Sequence, residues 1–189
     1  MDASIPPEAA KLLDLIGDTE APRGYDTLYN NKQNVWLQKL TTMTVAEVIK
    51  AGPIWSGRFG SSAAGRYQFM TATLKGLLVP ERLTGNELFD PDLQDRLGFA
   101  LLDRRGYESF ATGKMSVVAF GLGLAQEWAS FPVLADCKGA HRMVVRGETY
   151  YAGDHLNKAL ITPETVEAIL EAHPTPQVMD AVAQSGQAV

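Results

Sequence analysis

The 189-residue sequence has a single cysteine, fewer basic than acidic residues and no long apolar run. Cys137 alone cannot form an intramolecular disulfide or a cysteine-based zinc site, so packing has to stabilise the fold. No apolar run approaches the roughly 20 residues that span a bilayer, so no transmembrane helix is expected. The first residues also lack the basic and apolar segments of a signal peptide.

The charge balance limits which kinds of molecule the protein is expected to bind. The chain carries 17 basic and 22 acidic residues, a net charge of −5 at pH 7. Binding to a nucleic-acid backbone needs clustered Lys and Arg, so we expect no nucleic-acid partner. The three histidines have no metal-ligand spacing and no phosphate-binding loop is present, so neither a metal nor a cofactor is predicted. We expect a monomer.

Length and a hydrophobic content of 46% fit one compact domain over residues 1–189. Helices are predicted over 6–18, from Thr44 to a stop at Pro53, over 71–78, from Pro91 to Gly106, over 116–129 and from Pro163. Residues 24–43 are predicted to be irregular or a hairpin, 54–69 loop and short strand, and 148–160 a short helix. The last residues are predicted to form a loose tail. The fold class is therefore predicted as α+β, mostly helical, with one small β-rich lobe in the first half.

The stretch SSAAGRYQFM, residues 61–70, departs from ordinary globular composition. The small residues Ser62, Ala64 and Gly65 allow close approach of another molecule, whereas Tyr67 and Gln68 offer a flat ring and hydrogen-bonding edges. This combination suits a sugar. Trp55 is a further candidate for lining a sugar-binding groove, because it stands beside glycines in the adjacent segment.

Two carboxylates are candidates for chemistry. Glu20 falls at or just past a helix carboxyl end, because Pro22 forbids continuation, and the dipole and apolar neighbours there favour its protonated form. Such a neutral acid can protonate a glycosidic oxygen. Asp26, six residues on, is either the second carboxylate that a hydrolase needs at about 5 to 5.5 Å for retention or a hydrogen-bonding or positioning residue. We favour the latter.

The order and spacing of four stretches resemble the bacteriophage lambda lysozyme family of phage endolysins. These are LLDLIGDTEAPRGYD, SSAAGRYQFM, FDPDLQDRLGFALLDRRG and EWASFP, and the resemblance covers about residues 10–132. The most specific parts are AAGRYQF and the glutamate followed by GYD. The family's glutamate stands in a Ser-Glu-Gly context, whereas here the context is Thr-Glu-Ala-Pro.

The resemblance implies a lysozyme-like fold with a helical lobe, a small β-rich lobe and a saccharide cleft between them. It implies a muramidase that cleaves the MurNAc-GlcNAc β-1,4 bond of peptidoglycan as a lytic transglycosylase, with Glu20 as general acid and base. Tyr25 and Arg66 join the expected substrate-binding residues. The alternatives are a hydrolytic lysozyme that uses a second carboxylate to activate water, and a non-catalytic peptidoglycan-binding virion component.

The resemblance also bears on location. An endolysin of this kind is made in the host cytoplasm without a signal peptide and acts on the cell wall after release, or it is carried by the virion. Its expected partner is the glycan strand of peptidoglycan. Residues 136–189 lie outside the resemblance, and we expect them to be an additional C-terminal helical segment.

Overall fold

The computed structural model of the chain describes residues 1–173, and helices are its main secondary structure. The α-helices are Pro7–Glu20 (α1), Val45–Phe59 (α2), Thr71–Leu77 (α3), Pro91–Arg104 (α4), Tyr107–Ala111 (α5), Val117–Glu127 (α6) and Pro163–Glu171 (α7). Short 3-10 helices cover Tyr29–Val35 and Leu40–Thr42. The strands Cys137–Lys138 (β1) and Met143–Val144 (β2) pair antiparallel. This content is compatible with the α+β class.

The chain divides into two compact units, with the boundary after Ala100, inside α4. Across the described residues, no helix is both long and apolar enough to cross a membrane. The residues that the sequence singles out for chemistry all belong to the first unit, Met1–Ala100.

Several helix starts follow the capping signals in the sequence. The Thr44 hydroxyl accepts from the Glu47 N–H, and the Glu47 carboxylate accepts from the Thr44 N–H at 2.8 Å. This capping box confirms the helix start predicted at Thr44. Asp90 Oδ1 accepts from the N–H of Leu93 at 2.8 Å at the start of α4. Ser116 caps α6 in the same way. Each signal acts within one turn, which is why the sequence alone locates it.

Helix α2 is longer than predicted, because it continues through Pro53 to Phe59 instead of stopping. A Cβ added to Gly52 would overlap the Thr71 hydroxyl of α3, so glycine lets the two helices approach closely. The same helix buries Trp55. These contacts outweigh the local cost of a proline inside a helix, about 3 kcal/mol. The predicted loop and short strand over 54–69 is therefore wrong for its first part.

The predicted β-rich lobe of the first half is not formed. Within residues 1–100 the β structure is limited to single bridges, which join Leu28 to Ala64, Ala64 to Phe69 and Thr44 to Leu88. The extended backbone ends at Leu28, and the 3-10 segment that follows contains two successive asparagines in the left-handed region, so strands cannot extend there. The irregular interpretation of residues 24–43 is confirmed.

The core of the first unit is apolar and aromatic. Leu13 and Ile16 of α1 are fully buried. Phe69 contacts Tyr67 and Phe89 edge to face, with ring centroids 5.9 and 5.7 Å apart. This geometry is typical of buried aromatic pairs. Phe69 is therefore a core residue of this unit.

In the second unit, α6 supplies a buried face. A Cβ added to Gly121 would overlap the side chain of Leu134, so glycine allows close packing at this position. Gly123 is buried as well. Phe120 stacks on Phe110 of α5 with ring centroids 4.6 Å apart.

The only sheet recorded within residues 1–173 joins β1 and β2, in a region expected to be helical. The short helix predicted over 148–160 is also absent, because Gly153 and His155 have φ values of +110° and +61°. Asp154 Oδ1 accepts from the N–H of Asn157 at 2.9 Å, which favours a turn over a helix.

Helix α7 starts directly after Thr162, whose hydroxyl accepts from the Thr165 N–H at 3.3 Å. The Thr-Pro start predicted there is confirmed. The loose tail predicted for the end of the chain lies outside the described residues.

Candidate active site

Glu20 is the last residue of α1 and is partly buried. Ala21 leaves the helical conformation, with φ at −145°, while its N–H still donates to the carbonyl of Gly17 at 2.9 Å. Pro22 then prevents another helical turn. The predicted position of Glu20 at the negative end of the helix dipole is therefore confirmed.

The AAGRYQF stretch forms a tight turn. Ala64 and Phe69 exchange both backbone hydrogen bonds, at 3.1 and 2.8 Å. Gly65 and Gln68 lie in the left-handed region, with φ at +81° and +50°. A Cβ at Gly65 would overlap the side-chain oxygen of Gln94, so this position needs glycine for both conformation and space.

Arg66 attaches this turn to α1. Its guanidinium donates to Asp18 at 3.0 Å and to Asp14 at 3.3 Å, and it lies 5.5 Å from the ring centroid of Tyr25. A Cβ on Gly17 would overlap the Arg66 side chain, so the helix carries a glycine where the arginine crosses it. Arg66 thus holds the turn against the last two turns of α1.

Tyr25 and Tyr67 meet at Asp95, which is not among the site residues predicted from the sequence. Their hydroxyls donate to Asp95 Oδ1 at 2.9 and 2.7 Å, and the N–H of Asp2 donates to Oδ2 at 2.9 Å. Asp95 is 0% exposed. Burial first, and then the hydrogen bond to Asp95, raise the pKa of both tyrosines, so both hydroxyls stay protonated donors at neutral pH.

A signal for this network exists in α4. Gln94 and Asp95 stand between the apolar residues Leu93 and Leu97, which are buried, so a polar pair interrupts an apolar helix face. The Gln94 amide donates to the Phe89 carbonyl at 2.8 Å and to the Tyr25 carbonyl at 3.1 Å. Buried polar residues of this kind need partners.

Gln68 is partly exposed and belongs to the turn itself. Its side-chain amide donates to the Gly65 carbonyl at 2.8 Å and to the Thr27 carbonyl at 3.4 Å. Gly65 also donates its N–H to the Thr27 carbonyl at 2.8 Å. The loop after α1 is therefore joined to the turn by main-chain and side-chain bonds.

Asp26 lies in that loop and is partly buried. Its Oδ1 accepts a hydrogen bond from the N–H of Thr41 at 2.9 Å, which ties the loop to the start of the next segment. This contact agrees with the interpretation of Asp26 as a hydrogen-bonding residue, and its role in a reaction stays a prediction.

Several residues expected to line a sugar groove are buried. Trp55 is 1% exposed and contacts Trp36 edge to face, with ring centroids 5.4 Å apart, because α2 continues through Pro53. Tyr67 is also 1% exposed, and its hydroxyl is bound by Asp95. The expectation that these two rings face a sugar is wrong.

The small residues of the stretch are buried too. Ser62, Ala64 and Gly65 lie inside the first unit, and the Ser62 hydroxyl accepts from the Thr71 N–H at 3.1 Å. They make room for protein atoms instead of a ligand. Tyr25, Arg66 and Gln68 keep partial exposure.

The candidate site consists of carboxylates, hydroxyls, amides and the Arg66 guanidinium. Within residues 1–173 no group of three or more His, Cys, Asp or Glu side chains is arranged to hold a metal ion. No family model, curated protein or solved structure matches the chain. A function for this site has to be proposed from its own residues and from the motifs in the sequence.

Proposed function

We propose that this protein is a peptidoglycan-degrading muramidase, which cleaves the MurNAc-GlcNAc β-1,4 bond as a lytic transglycosylase. The observation that carries the proposal is direct contact between the two stretches most specific to the endolysin resemblance. Arg66 of the turn binds Asp18 on the helix that ends at Glu20. Gly65 of the turn binds the Thr27 carbonyl in the loop that follows.

In the first step, Glu20 acts as the general acid. Its carboxyl group donates a proton to the glycosidic oxygen, the bond from the muramic anomeric carbon to that oxygen breaks, and the GlcNAc side leaves as an alcohol. Glu20, the last residue of α1, would supply the proton that this step needs.

In the second step, the same carboxylate acts as the base. The 6-hydroxyl of the muramic residue attacks its own anomeric carbon, and its proton passes to Glu20. The product is a 1,6-anhydro sugar, no water is consumed, and Glu20 returns to its starting state. One carboxylate is enough for this sequence, which agrees with the engagement of Asp26 by the Thr41 N–H.

The other partly exposed residues support binding. Gln68 and Tyr25 are fixed by the turn and by Asp95, so each holds one orientation without substrate. Groups held in this way lose little conformational entropy when a sugar binds.

The test is clearing of purified peptidoglycan by the full chain and by Glu20→Gln. Because an amide cannot donate the proton, we expect the variant to clear peptidoglycan about 10²–10⁴-fold more slowly. Glu81→Gln, a change at an exposed glutamate of the same unit, is the control and should keep full activity. An unimpaired Glu20→Gln enzyme contradicts the proposal.

Mass analysis of the products separates the alternatives. Transglycosylation leaves an anhydro-muramic end that is lighter by one water than the end left by a hydrolase. A chain that sediments with intact sacculi without cutting them is a binding component, and that result also contradicts the proposal.

A further inference from the structure

Asp26 lines a surface pocket of the first unit that the reaction above does not use. The pocket measures about 320 Å³ and is lined by Asp26, Gln33, Asn34, Trp36, Leu37, Gln38 and Lys39. We call it the Trp36 pocket. Small-molecule sites begin at about 300 Å³, so its size fits a single ring and not a long oligomer.

The polar lining of the Trp36 pocket is balanced in charge. Three carboxamides stand beside one carboxylate, Asp26, and one ammonium group, Lys39. Carboxamides both donate and accept hydrogen bonds, which matches the hydroxyl and acetamido groups of a neutral sugar. A phosphorylated or strongly anionic ligand would meet Asp26 without a surplus of cations.

One oxygen of Asp26 is already bound by the Thr41 N–H at 2.9 Å. Of the hydrogen bonds that the structure describes in residues 1–173, this is the one made to the Asp26 carboxylate. The bond fixes the carboxylate in place, and its second oxygen can accept from a ligand hydroxyl.

The apolar part of the Trp36 pocket lining is unusually exposed to solvent. Leu37 is 100% exposed, and it stands next to Trp36, whose ring is held by its edge contact with buried Trp55. Burial of such apolar surface contributes about 25 cal/mol per Å². The C–H face of a pyranose ring provides apolar cover of this kind while its hydroxyls reach the amides.

A second hollow of about 200 Å³ shares Trp36 and Gln38 with the first. The residues it adds are apolar except for one acid and one base: Met43, Glu47, Lys50, Ala51 and Ile54. The two hollows therefore adjoin along Trp36 and Gln38. A ligand of more than one ring can lie across both.

We propose that the Trp36 pocket binds a neutral N-acetylhexosamine ring, as a sugar subsite beside Asp26. The identity of the ligand as part of a peptidoglycan strand rests on the function proposed above. The loop of Asp26 supports this link, since its next residue, Thr27, accepts hydrogen bonds from Gly65 and Gln68 of the turn.

The experiment measures binding apart from catalysis. The full chain carrying Glu20→Gln is titrated with N,N′,N″-triacetylchitotriose by calorimetry and by tryptophan fluorescence. Leu37→Ala and Gln38→Ala, each added to that chain, should weaken binding about fivefold or more, by loss of apolar cover or of an amide. Both side chains are exposed, so neither change threatens the fold.

Two further variants sharpen the result. Trp36→Phe keeps a ring against Trp55 and should remove the fluorescence change on binding, since Trp55 and Trp128 are buried. Val79→Ala, at another exposed apolar residue of the same unit, is the control and should bind like the parent chain.

The inference is overturned if the trisaccharide does not bind, or if Leu37→Ala and Gln38→Ala bind it as Val79→Ala does. These results are distinct from failure of the proposed reaction. Pocket-dependent binding by a chain that never clears peptidoglycan would retain the subsite and remove the muramidase. Clearing of peptidoglycan without pocket-dependent binding would retain the muramidase and remove the subsite.

Discussion

At the scale of single residues, Asp95 accounts for more of the candidate site's geometry than any residue singled out from the sequence. It is fully buried and accepts from two tyrosine hydroxyls and one backbone N–H. Because Tyr25 and Tyr67 come from separate stretches, their shared acceptor ties the loop after α1 to the turn. Asp95 is therefore a positioning residue for the proposed site.

Replacing Asp95 with alanine should lower the free energy of unfolding by about 3 kcal/mol or more, because it leaves buried donors without an acceptor. Tyr67→Phe should lower the free energy of unfolding by about 1 to 2 kcal/mol, since Asp95 then keeps its other donors. Denaturant unfolding at pH 7 measures both.

The control for this prediction is Asp92→Ala, an exposed acid in the first turn of the same helix. It should cost less than about 1 kcal/mol, the size of a helix-dipole contribution. Equal losses for Asp92→Ala and Asp95→Ala would show that the buried network contributes nothing of its own.

At the scale of helices and strands, glycines mark where two elements approach closely. Gly121 of α6 has no space for a Cβ beside Leu134, whereas Gly57 of α2 has no atom within 4 Å of the place where its Cβ would lie. The same substitution should therefore have opposite effects at the two positions.

Gly121→Ala should destabilise the protein by about 1 to 3 kcal/mol, because overpacking outweighs the gain in helix propensity. Gly57→Ala should stabilise it by up to about 1 kcal/mol through that gain alone. Thermal and denaturant unfolding give both values. In a Leu134→Ala background Gly121→Ala should cost less, and an unchanged cost there would exclude Leu134 as the cause.

At the scale of the whole molecule, the net charge of −5 opposes binding to peptidoglycan, whose peptide stems carry carboxylates. Salt screens repulsion between like charges, with a Debye length near 10 Å at about 0.1 M. The rate of peptidoglycan clearing should therefore rise a few-fold between about 10 mM and about 150 mM NaCl.

Binding of the uncharged trisaccharide provides the comparison for this salt effect. Because the ligand carries no charge, its affinity should be nearly constant over the same salt range. A steep fall in clearing rate with salt would instead indicate attraction through a basic surface. Arg66, Arg104 and Arg105 do not supply free cations for such a surface, since all three are paired with carboxylates.

Local signals in the sequence were sufficient to predict most helix ends. Thr44 with Glu47, Asp90 with Leu93, and the halt of α1 before Pro22 each depend on groups within one turn of the chain. Such interactions are the same in any fold, so residue order is enough to predict them. The position of Glu20 at a helix end follows from this local chemistry.

Long-range contacts decided the rest. Tyr67 reaches Asp95 across 28 residues and Tyr25 reaches it across 70, and α2 passes through Pro53 because Gly52 lies against Thr71 of α3. Burial of Trp55 follows from the same packing. A side chain's exposure depends on which distant surface covers it, and residue order does not specify that surface until the chain has folded.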